Sequence, residues 1–163
     1  MVAASAALSP GRSRAFRAIF WGGLIAGTLD ITYAFAFSYL RSGTSPVVIL
    51  QSVASGLLGK DSFNGGLATA ALGLFLHFLI AFTAAALYYA ASRKFDVLSR
   101  AAVVCGLIYG ALVYAFMNYV VIPLSAVPPR AGPRPLLVVV TGLLVHMFFI
   151  GLPIALAVRR SSR

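Results

Sequence analysis

The chain has 163 residues, of which 61% are hydrophobic and only 10% are charged, and its mean hydropathy is +0.96. This composition excludes an ordinary soluble domain and indicates an integral membrane protein. The net charge of +10 would suit nucleic acid, but the bases form no face with interleaved aromatic or groove-fitting elements, so we expect no nucleic-acid partner.

Four apolar stretches are each long enough to cross the hydrocarbon layer, which is about 30 Å thick and needs about 20 helical residues. They cover residues 16–40, 66–91, 101–122 and 136–158. The rest of the chain forms tails and short connections. The sequence therefore predicts an all-α polytopic membrane protein, with residues 1–163 in one four-helix transmembrane domain.

The basic residues are concentrated at one set of helix ends. Three precede the first span, three lie between the second and third spans, and three follow the fourth: Arg12, Arg14, Arg17, Arg93, Lys94, Arg100, Arg159, Arg160 and Arg163. The opposite ends hold only Arg41, Lys60, Arg130 and Arg134. The positive-inside rule then predicts that both termini lie in the cytoplasm, where the bases attract anionic headgroups of the bilayer.

The first span carries an acid in its middle, and acids are rare in this chain. Asp30 is one of only three acidic residues, and it shares a narrow helical arc with Gly23, Ala26, Gly27 and Ala34. Small residues allow a neighbouring helix to approach closely, and a carboxyl group in hydrocarbon is costly unless a partner or water meets it. We therefore expect another helix to present a partner to Asp30.

An amphipathic segment follows the first span. Ser45 and Pro46 are typical of a helix start and Gly59 of a helix end, which predicts a helix over about residues 46–58. Gln51, Ser52, Ser55 and Gly56 lie on one side and mostly aliphatic residues on the other. Because this helix is too short to span, it is expected either to lie in the outer interface or to be re-entrant.

The later spans also carry polar residues among small ones. His77 shares a face with Gly73 and Tyr88 in the second span, and His146 shares one with Gly142 in the fourth. The third span contains Gly106 and Gly110, followed by Tyr114 and Asn118 toward its outer end. We interpret the glycines as helix-packing positions, serving either the bundle itself or a homo-oligomer, and the tyrosines and Asn118 as secondary polar residues.

The two halves of the chain resemble each other. GLIAGTL at 23–29 matches GLIYGAL at 106–112, and GLFLH at 73–77 matches GLLVH at 142–146. The first and third spans run in the same direction, so these matches predict two hairpins related as a parallel repeat. Asp30 has no acidic counterpart in the second half.

Asp30, His77 and His146 all lie near the centres of their spans, which predicts a polar cluster at the midplane. Three interpretations stay open: hydrogen-bonded residues that fix helix register, a path for protons or a small solute, or ligation of a haem or metal ion by the histidines. The sequence shows no placed nucleophile, phosphate-binding loop or acid pair. We therefore expect no enzymatic activity, cofactor or bound metal.

Several of these motifs resemble the YagU-like family of small bacterial inner-membrane proteins. The similar features are GGLIAGTLD in the first span, the face from His77 to Tyr88, the glycine-paired third span ending at Pro123, and GLLVH followed by Arg159 and Arg160. The resemblance implies a link to envelope or acid stress and supplies no catalytic residues. The alternative function is a small proton-linked transporter or channel that uses Asp30, His77 and His146.

Overall fold

The computed structural model describes residues 10–129 and 132–162 of the chain, with side chains described from Ser13 to Ser161 outside that gap. Every regular element in these ranges is helical, and they contain no β-strand. The helices are α1 (Pro10–Ser42), α2 (Pro46–Leu58), α3 (Gly66–Ser92), α4 (Val97–Arg100), α5 (Ala102–Phe116), α6 (Ile122–Leu124), α7 (Leu136–Val145) and α8 (Leu152–Ser162). A 3₁₀ segment, Gly59–Asn64, joins α2 toward α3.

Four helices are long and apolar enough to cross a membrane. They are span 1 (Ser13–Ser42), span 2 (Gly66–Ser92), span 3 (Ala102–Leu124) and span 4 (Leu136–Ser161). The expected all-helical class with four membrane-spanning helices is therefore confirmed, and the chain has the build of a membrane protein.

Spans 3 and 4 each contain a π-helical segment, Met117–Val121 in span 3 and His146–Gly151 in span 4. Each segment ends two residues before a proline, Pro123 or Pro153. A proline lacks the backbone N–H, and its ring clashes with the carbonyl four residues earlier. Widening the preceding turn relieves this clash, which explains how both helices continue through their prolines.

The helices pack in a fixed neighbour order. Helix α1 lies between α3 and α8, while α5 packs against α8 and against the π segment of span 4. In the described ranges, span 3 packs closely along its length against neither span 1 nor span 2. The buried core between the helices consists largely of alanines, including Ala18, Ala26, Ala85 and Ala155, because helices in lipid gain most from close backbone approach.

Helix α2 occupies the residues for which an amphipathic helix was expected. The hydroxyl of Ser45 accepts from the Val48 N–H at its first turn, and Pro46 provides a preset φ there. The helix ends at Gly59, whose φ of +61° favours glycine. Helix α2 packs mainly on α3, and it also contacts α1.

Candidate functional site

Asp30 lies in the middle of α1 and is partly buried. Within the described ranges it forms neither a hydrogen bond nor an ion pair; the ion pair found there joins Arg100 and Asp96. Tyr33 follows one turn later, and its hydroxyl is buried with no hydrogen-bond partner among the described residues. The Tyr33 ring meets Phe149 of span 4 edge-on, with the ring centroids 6.3 Å apart. Two polar groups therefore lie close together on α1 without protein partners.

His77 joins span 2 to span 1 through a backbone group. Its Nε2 lies 2.8 Å from the carbonyl oxygen of Gly27, one helical turn before Asp30. A carbonyl oxygen can only accept, so Nε2 must carry the proton and donate it. The partner of His77 in the described structure is thus the backbone of α1 rather than the carboxyl group of Asp30.

His146 bonds within its own helix. Its Nδ1 lies 2.9 Å from the carbonyl oxygen of Gly142 and donates to it, which places the proton on Nδ1. The ring meets Tyr114 of α5 edge-on, with centroids 5.2 Å apart. His146 therefore contacts span 3, whereas His77 contacts span 1.

The structure joins Asp30, His77 and His146 by no hydrogen bond in the described ranges. Nor do any three His, Cys, Asp or Glu side chains there lie close enough together to hold a metal ion. His77 is held beside the Asp30 helix, and His146 is held beside Tyr114. That the three residues form one functional polar cluster therefore remains a prediction.

Two of the secondary polar residues, Tyr88 and Asn118, also bond to backbone carbonyls. Tyr88 donates to Leu98 O at 2.9 Å, and Asn118 Nδ2 donates to Tyr114 O at 2.8 Å. Arg134, just before α7, donates to the side-chain oxygen of Asn118. These bonds tie the end of span 2 to α4, and the loop between spans 3 and 4 to span 3.

Tyr109 is a linking residue that the sequence analysis missed. Its hydroxyl donates to Ala84 O at 2.7 Å, and its ring lies edge-on to Tyr88 with centroids 4.9 Å apart. Tyr109 therefore bridges spans 2 and 3, which otherwise pack loosely. The signal was present in the repeat, because Tyr109 stands where the first half has Ala26.

The six glycines singled out from the sequence lie at close contacts inside the bundle. A Cβ added to Gly110 would lie 2.1 Å from His146 O, and one on Gly106 would lie 2.8 Å from the Ala155 Cβ. Gly23 and Gly27 face the rings of Phe82 and Phe78, and Gly142 faces Tyr114. A Cβ on Gly73 would lie 1.9 Å from Leu50 O of α2. A side chain at Gly73, Gly106 or Gly110 would meet backbone atoms and force the helices apart, whereas at the other three positions an aromatic ring would have to shift.

A buried polar network connects α2 to the start of span 2. Gln51 is only 4% exposed, and its Nε2 donates to Gly66 O at 3.0 Å and to the Thr69 hydroxyl at 3.4 Å. Thr69 in turn donates to Ser62 O at 2.6 Å. Gln51 thus faces the protein, but Ser52 on the same polar side is exposed, and Leu57 on the apolar side is 63% exposed. The amphipathic pattern therefore did not predict which residues of α2 face inward.

A cleft of about 450 Å³ lies between spans 2 and 3. Its walls are almost entirely apolar and include Ile80, Leu112, Phe116 and Met117, with Tyr109 at one end. Neither this cleft nor the others found around the described helices is lined by Asp30, His77 or His146. The midplane polar residues therefore lie apart from the clefts.

Comparison of the chain with protein-family models, with curated proteins and with solved structures gives no match. The resemblance to the YagU-like family consequently stays a prediction, and the function has to be argued from the geometry above.

Proposed function

We propose that this chain is a non-enzymatic four-span protein of the bacterial inner membrane, with both termini in the cytoplasm. Its polar residues hold the helices in position rather than carry protons. The proposed biological setting is envelope or acid stress, in keeping with the YagU-like resemblance of GGLIAGTLD and GLLVH.

One observation carries the proposal: polar side chains within the spans direct their hydrogen bonds to backbone carbonyls. His77 bonds to Gly27 O, His146 to Gly142 O and Tyr109 to Ala84 O. A proton path needs exchangeable groups within reach of one another, whereas a carbonyl oxygen accepts a bond without passing a proton on. The bonds of His77 and Tyr109 join different helices, and such bonds stabilise helix contacts in lipid by about 0.6 kcal/mol on average.

The internal repeat supports the same interpretation. By the sequence matches, Gly27 corresponds to Gly110 and His77 to His146, and the two residues of each pair are in contact. In the first hairpin the histidine side chain bonds to the glycine carbonyl, and in the second the histidine carbonyl lies against the glycine. We infer that two copies of one hairpin retain the same close helix contact.

We further propose that α2 is re-entrant rather than interfacial. Its polar Gln51 is buried against the protein, while its Leu57 and Leu58 are exposed. Leu50 meets α3 at Gly73, seven residues beyond Gly66 and so about 10 Å along that helix. An interfacial helix would instead keep polar residues such as Gln51 toward water.

A second candidate function rests on Asp30 and Tyr33. Both lack protein hydrogen-bond partners within the described ranges, and a carboxyl group at mid-span is a functional-site candidate by default. Water joining them to His77, which bonds to Gly27 O one turn before Asp30, would begin a proton path. In this alternative the chain is a small proton-linked transporter or channel.

The two candidates differ in how Asp30 and His77 depend on each other. Thermal unfolding in detergent of Asp30→Leu, His77→Leu and the double variant measures that dependence. The proposal predicts additive losses within about 0.5 kcal/mol, because His77 bonds to the α1 backbone and not to Asp30. A coupling of about 1 kcal/mol or more would show that the two side chains act as a pair and would favour the relay.

A further inference from the structure

Two stripes of side chains face each other across spans 1 and 4. Arg17, Trp21 and Ile25 recur at intervals of four residues on α1, and Leu152, Leu156 and Arg160 do so on α8. Residues at this spacing share one helical face. Together the stripes line a groove of about 560 Å³.

Because α1 and α8 run antiparallel, chemically similar residues of the two stripes lie at the same depth. Arg17 and Arg160 lie at the end of the groove near the chain termini, and Ile25 and Leu152 lie at the other end, about 12 Å deeper. Trp21 lies between these levels. The end of the groove near the chain termini, called its mouth, is therefore basic. Trp21 lies just inside the mouth, and the deeper part of the groove is apolar.

The floor of the groove is closed toward the bundle. Gly22 brings α1 close enough that an added Cβ would lie 3.5 Å from both the Ala157 Cβ and the Ile154 Cα. Ile154 and Ala18 are fully buried beside this contact. The open side faces away from the bundle, where Trp21 is 52% exposed and Leu156 is 41% exposed. An occupant must therefore come from the surrounding bilayer.

No acid balances the two arginines at the mouth. The whole sequence has three acidic residues, Asp30, Asp61 and Asp96, and none of them lines the groove. Both arginines are exposed, and the ion pair in the described part of the chain uses Arg100 instead. An anion that also carries hydrocarbon could balance both charges and fill the space beside Ile25 and Leu156.

We propose that this groove is a binding site for one anionic phospholipid. The phosphate lies between Arg17 and Arg160, the Trp21 indole lies at headgroup level, and one acyl chain occupies the apolar interior. Arginine suits this task because its planar guanidinium can donate two parallel hydrogen bonds to a phosphate. Basic pockets between transmembrane helices are a known mode of headgroup recognition. This lipid site requires that the chain lies in a membrane, as proposed above, but it does not require that the chain lacks proton transport.

Trp21 is the chain's single tryptophan and lines the proposed site, so its fluorescence reports on the bound lipid. The full chain would be reconstituted in phosphatidylcholine vesicles that contain a fixed fraction of bromine-labelled lipid, either phosphatidylglycerol or phosphatidylcholine. Bromine on an acyl chain quenches a nearby indole. We expect phosphatidylglycerol to be enriched at Trp21 over phosphatidylcholine by about fivefold for each arginine.

The test variant is Arg17→Gln with Arg160→Gln, and the matched control is Arg93→Gln with Lys94→Gln, which removes the same charge from the loop between spans 2 and 3. The excess quenching by phosphatidylglycerol should disappear in the first variant and persist in the second. Equal quenching by both lipids in the wild type would overturn the proposal. So would an equal loss of the excess in both variants, because that would show diffuse attraction to the surface.

Discussion

The Nε2 atom of His77 lies 2.8 Å from the carbonyl oxygen of Gly27, so the histidine of span 2 is hydrogen-bonded to the backbone of span 1. Gly27 permits this approach because it has no side chain: an added Cβ would lie 2.8 Å from the Phe78 ring. Glycine and histidine thus act together at one helix contact. The corresponding residues of the second half, Gly110 and His146, are also in contact.

The contact between Gly110 and span 4 is predicted to be intolerant of any side chain. Gly110→Ala would place a Cβ 2.1 Å from His146 O and 2.5 Å from the Met147 Cα, so the backbones must separate. We expect a loss of about 1–3 kcal/mol, as for other overpacked contacts, measured by thermal unfolding in detergent. Gly22→Ala is the control, because its Cβ would meet atoms at an ordinary 3.5 Å. Equal stability of the two variants would contradict this packing.

Gln51 is predicted to hold α2 against span 2. Gln51→Leu removes the bonds to Gly66 O and Thr69 and puts an apolar side chain of similar size in their place. We therefore expect the free energy of unfolding to fall by about 1 kcal/mol in the same assay. The exposed Ser52 bonds only to Ile49 O of its own helix, so Ser52→Ala should change stability by less than about 0.5 kcal/mol. A gain in stability for Gln51→Leu would mean that this side of α2 faces lipid.

Tyr109 is predicted to control access to the cleft between spans 2 and 3. Tyr109→Phe deletes the bond to Ala84 O, and Cys105, one turn earlier in α5, reports the result because it lines the adjoining cleft. We expect a membrane-permeant maleimide to label Cys105 several-fold faster in this variant. Tyr119→Phe, at a residue 77% exposed, should label at the wild-type rate. Identical rates in all three proteins would show that the Tyr109 bond does not restrain the cleft.

Much of this arrangement could be predicted from the sequence, for identifiable physical reasons. Hydropathy located the four spans, because a helix of about 20 apolar residues matches the thickness of the hydrocarbon layer. Ser45, Pro46 and Gly59 located α2, because helix ends require particular residue types. The spacing of small residues singled out Gly106 and Gly110, since two glycines one helical turn apart are typical of close helix contacts.

The partners of the polar residues could not be predicted in the same way. His77 bonds to a backbone carbonyl, and a carbonyl is present at every residue, so no sequence pattern marks Gly27 as the acceptor. The π segments arise from the clash between each proline and the preceding turn, which a hydropathy pattern does not record. His146 stands at the start of the π segment in span 4, and its ring contacts Tyr114 of α5.

The proposed orientation predicts opposite labelling at two exposed lysines. In a Cys105→Ser background, single cysteines introduced as Lys60→Cys and Lys94→Cys lie at opposite ends of span 2. An impermeant maleimide added to intact spheroplasts should label only the first, and should reach the second after lysis. The reverse pattern would place both termini outside the cytoplasm.

The most direct test of the central claim is proton flux through the purified protein in liposomes under an imposed pH gradient. Wild type and Asp30→Asn would be measured beside protein-free liposomes, with a protonophore added at the end to show that the gradient was intact. Because the histidines bond to backbone carbonyls, we predict that neither protein exceeds the protein-free rate. Flux in the wild type that disappears in Asp30→Asn would contradict the account and establish Asp30 as a proton relay.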